Sequence, residues 1–115
     1  MMRFSGVIGV LQGSQMLFSD FADGGAMWTG QGARLKRCAV SFAPPFAAVP
    51  AVILGISMWD LDHETNARGD IQAEAITPTG FEIVLRTWGD SRIARIRAQW
   101  TAIGPVADDE AWDVP

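Results

Sequence analysis

The sequence predicts an all-β fold: a six-stranded antiparallel β-sandwich over residues 1–104, followed by an acidic tail over 105–115. Three observations lead there. Alternation of apolar and polar residues with period two recurs along the chain, while no stretch of twelve or more residues holds a helical period. Turn-forming residues separate the alternating runs, which suits a sandwich better than any βαβ arrangement. Length and composition fit one packed domain, because 115 residues with 49% hydrophobic and 19% charged side chains can bury a single core but not two.

The first strand is expected at Val7 to Leu11, ending where Gln12-Gly13-Ser14-Gln15 interrupts the apolar run. That run is short and poor in charge at its start, so it reads as a strand and not as a signal peptide. No segment approaches the roughly 18 apolar residues of a membrane span, so no membrane insertion is expected. The compartment stays open between the cytoplasm and a non-classical or particle-associated export route. Asp20 to Gly32, with Gly24, Gly25, Gly30 and Gly32 around Met27-Trp28, is the longest irregular stretch. Long loops on a rigid scaffold are common places for function.

Arg34 to Phe42 alternates, with Lys36, Cys38, Val40 and Phe42 expected to face the core. Pro44, Pro45 and Pro50 then break regular pairing, and Ala51 to Ser57 reads as a central strand buried on both faces. Asp70 to Thr77 and Phe81 to Trp88 should pair antiparallel across Thr77-Pro78-Thr79-Gly80, placing Phe81, Ile83 and Leu85 in the core. A turn at Gly89-Asp90-Ser91 leads to the last strand, Arg92 to Ile103. Its inner face should carry Ala94, Ile96, Ala98, Trp100 and Ala102, and its outer face Arg95, Arg97 and Gln99. No linker or internal repeat is visible.

Charge and chemistry exclude several functions. The net charge of −4 arises in the tail, where Asp108, Asp109, Glu110 and Asp113 supply four of thirteen acids and leave nine acids against nine bases. A nucleic-acid binder needs a positive excess that neutralises several phosphates, so Arg86, Arg92, Arg95 and Arg97 read as a solvated face or a subunit contact. Cys38 is the single cysteine, which excludes an intramolecular disulfide and a Cys-rich metal site; it reads as a small buried hydrophobe. His63, the single histidine, has no nucleophile in a recognisable context and no second histidine, so no catalytic residue is expected. Its segment, Asp60-Leu61-Asp62-His63-Glu64-Thr65-Asn66, lacks the order of a calcium loop, so neither metal nor cofactor is expected. Gly24-Gly25 and Gly30-Gln31-Gly32 open no helix after a strand and read as turn glycines, not a phosphate cradle.

What remains is binding by an exposed aromatic beside polar groups. A pyranose offers a C–H face that packs on an indole and hydroxyls that seek planar donors and acceptors. Trp88, beside a Gly-Asp turn, is either such a platform or a cross-strand packing residue.

An ordered set of short motifs bears on that choice: Phe42 with Pro45-Phe46, Pro50, Asp60, Asn66-Ala67-Arg68, Thr79-Gly80-Phe81, Thr87-Trp88 and Trp100. Taken together, from about Leu35 to Gly104, they resemble the H-type lectins. The resemblance implies a six-stranded sandwich that assembles as a trimer or a stacked hexamer and binds galactose or N-acetylgalactosamine, without metal, between neighbouring protomers. It makes Trp88 the aromatic that packs on the sugar and Arg68 the arginine that reaches it from the adjacent protomer, with Asp60 as the carboxylate expected to pair with Arg68. Asp90 and Gln31 join as polar partners, and Asn66 as a structural anchor. Gly89 stands where snail agglutinins have a histidine after the tryptophan. Ala94 stands where they have a tyrosine, and Gln31 near their sugar-binding aspartate. Two functions follow: a multivalent carbohydrate-binding lectin whose partners are glycans and its own copies, or a trimeric assembly module of a surface or phage-like particle that keeps the fold without sugar binding.

Overall fold

The structure, a computed structural model, describes residues 1–107. The elements run in the order β1 (Ile8–Ser19), α1 (Asp20–Asp23), α2 (Ala26–Thr29), β2 (Arg34–Ser41), β3 (Ala51–Leu61), β4 (Asp70–Thr77), β5 (Gly80–Thr87) and β6 (Ile93–Pro105). All pairings are antiparallel and give two three-stranded sheets, ordered β1-β6-β3 and β2-β5-β4. The expected hairpin is present, with Thr77 opposite Gly80. Trp88 falls just beyond the end of β5. The acidic residues of the tail and Trp112 lie outside the described residues.

The core lies between the sheets. β6 contributes Ala94, Ile96, Ala98, Trp100 and Ala102 and β5 contributes Phe81, Ile83 and Leu85, all buried as the alternation predicts. Phe42, Phe46, Phe81 and Trp100 form one aromatic cluster, with ring centroids between 5.1 and 5.8 Å apart. Tilted and edge-on pairs at this spacing add attraction beyond the burial of area. Much of the motif set in the sequence therefore encodes the core and not the site.

Three expectations are corrected. β1 runs straight through Gln12-Gly13-Ser14-Gln15, because Gly13 lies opposite Trp100 and a β-carbon there would stand 2.6 Å from the indole. The glycine makes room for the core tryptophan and does not end the strand. Ala51 to Ser57 belongs to an edge strand of eleven residues, not a central one. Val52, Leu54 and Ile56 face the core while Ile53 on the outer face is 63% exposed, so an apolar residue in solvent imitated two-sided burial. The stretch from Asp20 to Gly32 holds two single-turn helices where none was expected, with Met27 buried beneath them.

Candidate functional site

Three connections meet at one end of the sandwich: the β1–β2 loop, the segment between β3 and β4, and the β5–β6 turn. Two buried hydroxyls tie the last two together. Ser91 Oγ donates to the Asn66 carbonyl at 2.6 Å and accepts from the Arg68 amide at 2.9 Å. Thr87 Oγ1 donates to the Arg68 carbonyl at 2.6 Å. Both side chains are essentially inaccessible, and losing either would leave a part-buried carbonyl without its hydroxyl partner. The motif Asn66-x-Arg68 is thus positioned from beneath by the strand end and turn that flank Trp88.

Above this anchor the polar groups converge on Asp90. Arg68 Nη1 donates to Asp90 Oδ1 at 2.6 Å, and Asn66 Nδ2 lies 3.4 and 3.5 Å from the two carboxylate oxygens. Gly89 makes this approach possible: its φ of +68° is left-handed, and a β-carbon there would stand 3.0 Å from Arg68 Nη1. The hydrogen bond from Arg68 holds the Asp90 carboxyl below the usual carboxylate range against the opposing effect of desolvation, with smaller help from Asn66 and from the backbone of Asp90 itself. A carboxylate whose pKa is lowered on folding contributes its stabilisation above its unfolded pKa and loses it as pH falls through the lower, folded value. The Arg68 position should therefore be unchanged from neutral pH through the ordinary carboxylate range and be released only in stronger acid. A pH titration of ligand affinity, with Asp90→Asn as the reference, checks this; loss of affinity near pH 6 in the parent and not in the variant would contradict it.

The glycine-rich loop docks onto the same turn. The Gly32 amide donates to the Gly89 carbonyl at 3.0 Å, and Arg34 gathers the Gly32, Ala26 and Gly89 carbonyls at 3.1, 3.1 and 3.2 Å. Arg92 donates to the Trp28 carbonyl at 2.9 Å and to Asp62 at 3.2 Å, with its guanidinium 4.3 Å from the Trp28 ring centre. Sequence reasoning assigns no site role to Arg34 or Arg92. Two arginines immediately flanking the loop and the turn are the available signal.

The candidate residues fall into a cluster, two flanks and one outlier. Asn66, Arg68, Gly89 and Asp90 form the cluster. Gln31 shares a hollow of about 330 Å³ with Thr29, Gly30, Thr65, Asp90 and Arg92. Trp88, 46% exposed, lines a second hollow of about 290 Å³ with Ala33, Arg34, Leu35, Arg86 and Thr87. Asp60 is the outlier: it pairs with Arg95 at 3.2 Å, not with Arg68. The register of β3 places Asp60 directly opposite Arg95, while the nearby Asp90 takes the Arg68 guanidinium.

Among the described residues no group of three or more His, Cys, Asp or Glu could hold a metal ion. No helix among them is long and apolar enough to cross a membrane. His63 is almost fully exposed beside Asp62 and Glu64. Cys38 is half-buried, its thiol donating to the Leu17 carbonyl at 3.5 Å, and burial pushes its pKa up, with Lys36 opposing. It is held as an unreactive thiol.

Two packed three-stranded antiparallel sheets form an all-β sandwich, and the H-type lectin domain matches residues 38–103 of it. The chain belongs to the H-type lectin domain family. Membership supports carbohydrate binding in general. A protein of Fuscovulum blasticum called ATP synthase subunits region ORF 7 is 61% identical over 114 residues, 99% of each chain, and its name states no activity. A discoidin-1 chain of Dictyostelium discoideum is 35% identical over 81 residues, which are 70% of this chain and 32% of that protein. The structure of recombinant discoidin II of Dictyostelium discoideum superposes with a TM-score of 0.75 at 22% identity, covering 90% of this chain and 40% of the discoidin, and shows the shared fold. The matched region thus spans about a third of the length of discoidin-1.

Proposed function

We propose that this chain binds galactose-type or related glycans, without metal, at the end of the sandwich where Arg68, Asp90, Asn66 and Gly89 converge. The observation that carries the reading is the pre-set geometry of that cluster: buried Ser91 and Thr87 fix the Arg68 backbone and Asp90 fixes its guanidinium. Donors held in place lose little freedom when a sugar hydroxyl arrives. Trp88 is the platform for the C–H face of the sugar, and Gln31 and Asp90 offer planar polar groups from the adjoining hollow. A glycan array with the purified protein tests this. Signal that free sugar competes away supports the reading, and silence across the array overturns it.

Assembly belongs to the same proposal, with the site completed by neighbouring copies in a trimer or hexamer. The two outer sheet faces differ in a way that supports it. The β2-β5-β4 face carries an ion-pair lattice in which Arg37 meets Glu82 at 3.0 Å and Arg86 meets Glu74 at 3.0 Å. The β1-β6-β3 face instead leaves Ile8, Val10, Met16 and Ile53 exposed. These apolar side chains flank the polar groups Gln12, Ser14, Ser57, Arg97 and Gln99 on the same face, a mixture that suits an interaction surface. Light scattering at micromolar concentration should give the mass of three or six chains, and Ile53→Glu should lower it. A monomeric parent would remove the shared-site geometry, leaving binding by single copies. The same apolar face also favours the alternative of a trimeric assembly module without sugar binding, which the array separates from the lectin reading.

A further inference from the structure

The edge strand β3 changes the direction of its side chains partway along. Ile56 lies opposite Ala98, but Met58 lies opposite Arg97, so Ser57 is an extra residue in a β-bulge. Bulges re-aim the side chains that follow them. Beyond this one Trp59 lies opposite Ile96, on the core-facing side of the sheet, where the regular alternation would have turned it outward. Even so, Trp59 is 63% exposed. Its indole stands at the open edge of the sandwich, over a slot of about 160 Å³ lined by Ile56, Leu61, Arg68, Ile93 and Ile96. Ile93 and Ile96 are otherwise core residues, at 2% and 1% exposure.

We propose that the slot beneath Trp59 is an apolar subsite that takes a small acyl or aryl group, in the carbohydrate reading a substituent of the bound sugar. Three features carry it. Apart from Arg68 and the Trp59 indole, the side chains lining the slot are aliphatic, with Ala67 and Gly69 completing the wall beside Arg68. Its volume of about 160 Å³ has room for a small acyl or aryl group. Arg68 lines it, and its Nη1 is engaged by Asp90 while its other guanidinium N–H groups meet no acceptor among the described residues. One arginine therefore serves both the polar cluster and the slot. A ligand with a polar ring and a short apolar arm matches that pair of environments.

The inference rests on the proposed carbohydrate binding, and its test separates the two. Calorimetric titrations compare the methyl and 4-nitrophenyl glycosides of galactose, which carry no acyl group and differ only in the aryl arm, on the parent, Trp59→Ala and Trp88→Ala. The parent should bind the aryl glycoside at least about tenfold more tightly than the methyl glycoside. Trp59→Ala should abolish that gain and keep the methyl glycoside affinity, whereas Trp88→Ala should weaken both. Equal affinities of the parent for the two glycosides would overturn the subsite while leaving the lectin reading intact. If neither glycoside binds, the Trp59 indole N–H resonance is followed with benzyl alcohol alone. A saturable shift then supports the apolar slot without the lectin reading, and a silent resonance overturns both. A fall in oligomer mass with Trp59→Ala would make the slot a subunit contact and overturn the proposal.

Discussion

Replacing Arg68 by alanine should lower glycan affinity at least tenfold, about 1.4 kcal/mol per site, while leaving the fold intact. The substitution removes the donor that Asp90 and Asn66 orient, and it leaves the Ser91 and Thr87 hydrogen bonds in place because those engage the backbone of residues 66 and 68. The Arg68 and Asp90 side chains are 36% and 53% exposed, so their ion pair is screened by water and its loss should move the melting temperature little. Trp88→Ala should reduce affinity to a similar degree through loss of the aromatic platform. Asp60→Ala should leave binding unchanged, since Asp60 pairs with Arg95. If both Arg68→Ala and Trp88→Ala bound as the parent does, the seat would lie elsewhere, and the loop around Met27 and Trp28 would be the next place to search.

The largest effect on stability should come from Trp100→Ala, at about 3–5 kcal/mol. Trp100 packs against Phe42 at 5.8 Å and Phe81 at 5.6 Å and lies over Gly13, so its removal opens a cavity between the sheets that three rigid neighbours cannot close. Urea unfolding followed by circular dichroism reads this as a drop in midpoint. Trp88→Ala, at an exposed position, should shift the midpoint far less. Equal midpoints for the two variants would contradict the assignment of Trp100 to the core and Trp88 to the surface.

The strands are legible where one face meets the core and the other meets water. β6, with its small and aliphatic inner face and its arginines outside, is the clearest case, and β5 follows from Phe81, Ile83 and Leu85. Legibility fails where the outer face is also apolar. Ile53 makes an edge strand look central, and Gly13 looks like a break because its partner Trp100 lies some ninety residues away in sequence. Period-two reasoning sees only local alternation, so a glycine that accommodates a distant indole is invisible to it. The site is legible in its residues but not in its pairing. Asn66, Arg68, Gly89 and Asp90 stand out in the sequence and do converge, yet the expected partner of Arg68 is Asp60, because the turn that swings Asp90 under the guanidinium depends on the left-handed Gly89. Trp59 draws no notice in the sequence, since its inward direction is set by the bulge at Ser57, which alternation cannot register.

The central claim is that sugar is held at the Arg68–Asp90 cluster, with Trp88 against its C–H face. A crystal structure of the protein soaked with N-acetylgalactosamine tests it most directly. The account predicts sugar density with hydroxyls within hydrogen-bond distance of Arg68 and Asp90 and the ring against the Trp88 indole. Sugar density on the hollow formed by Gln12, Ser14, Ser57, Arg97 and Gln99 on the outer face of the β1-β6-β3 sheet, with the Arg68–Asp90 cluster empty, would contradict it.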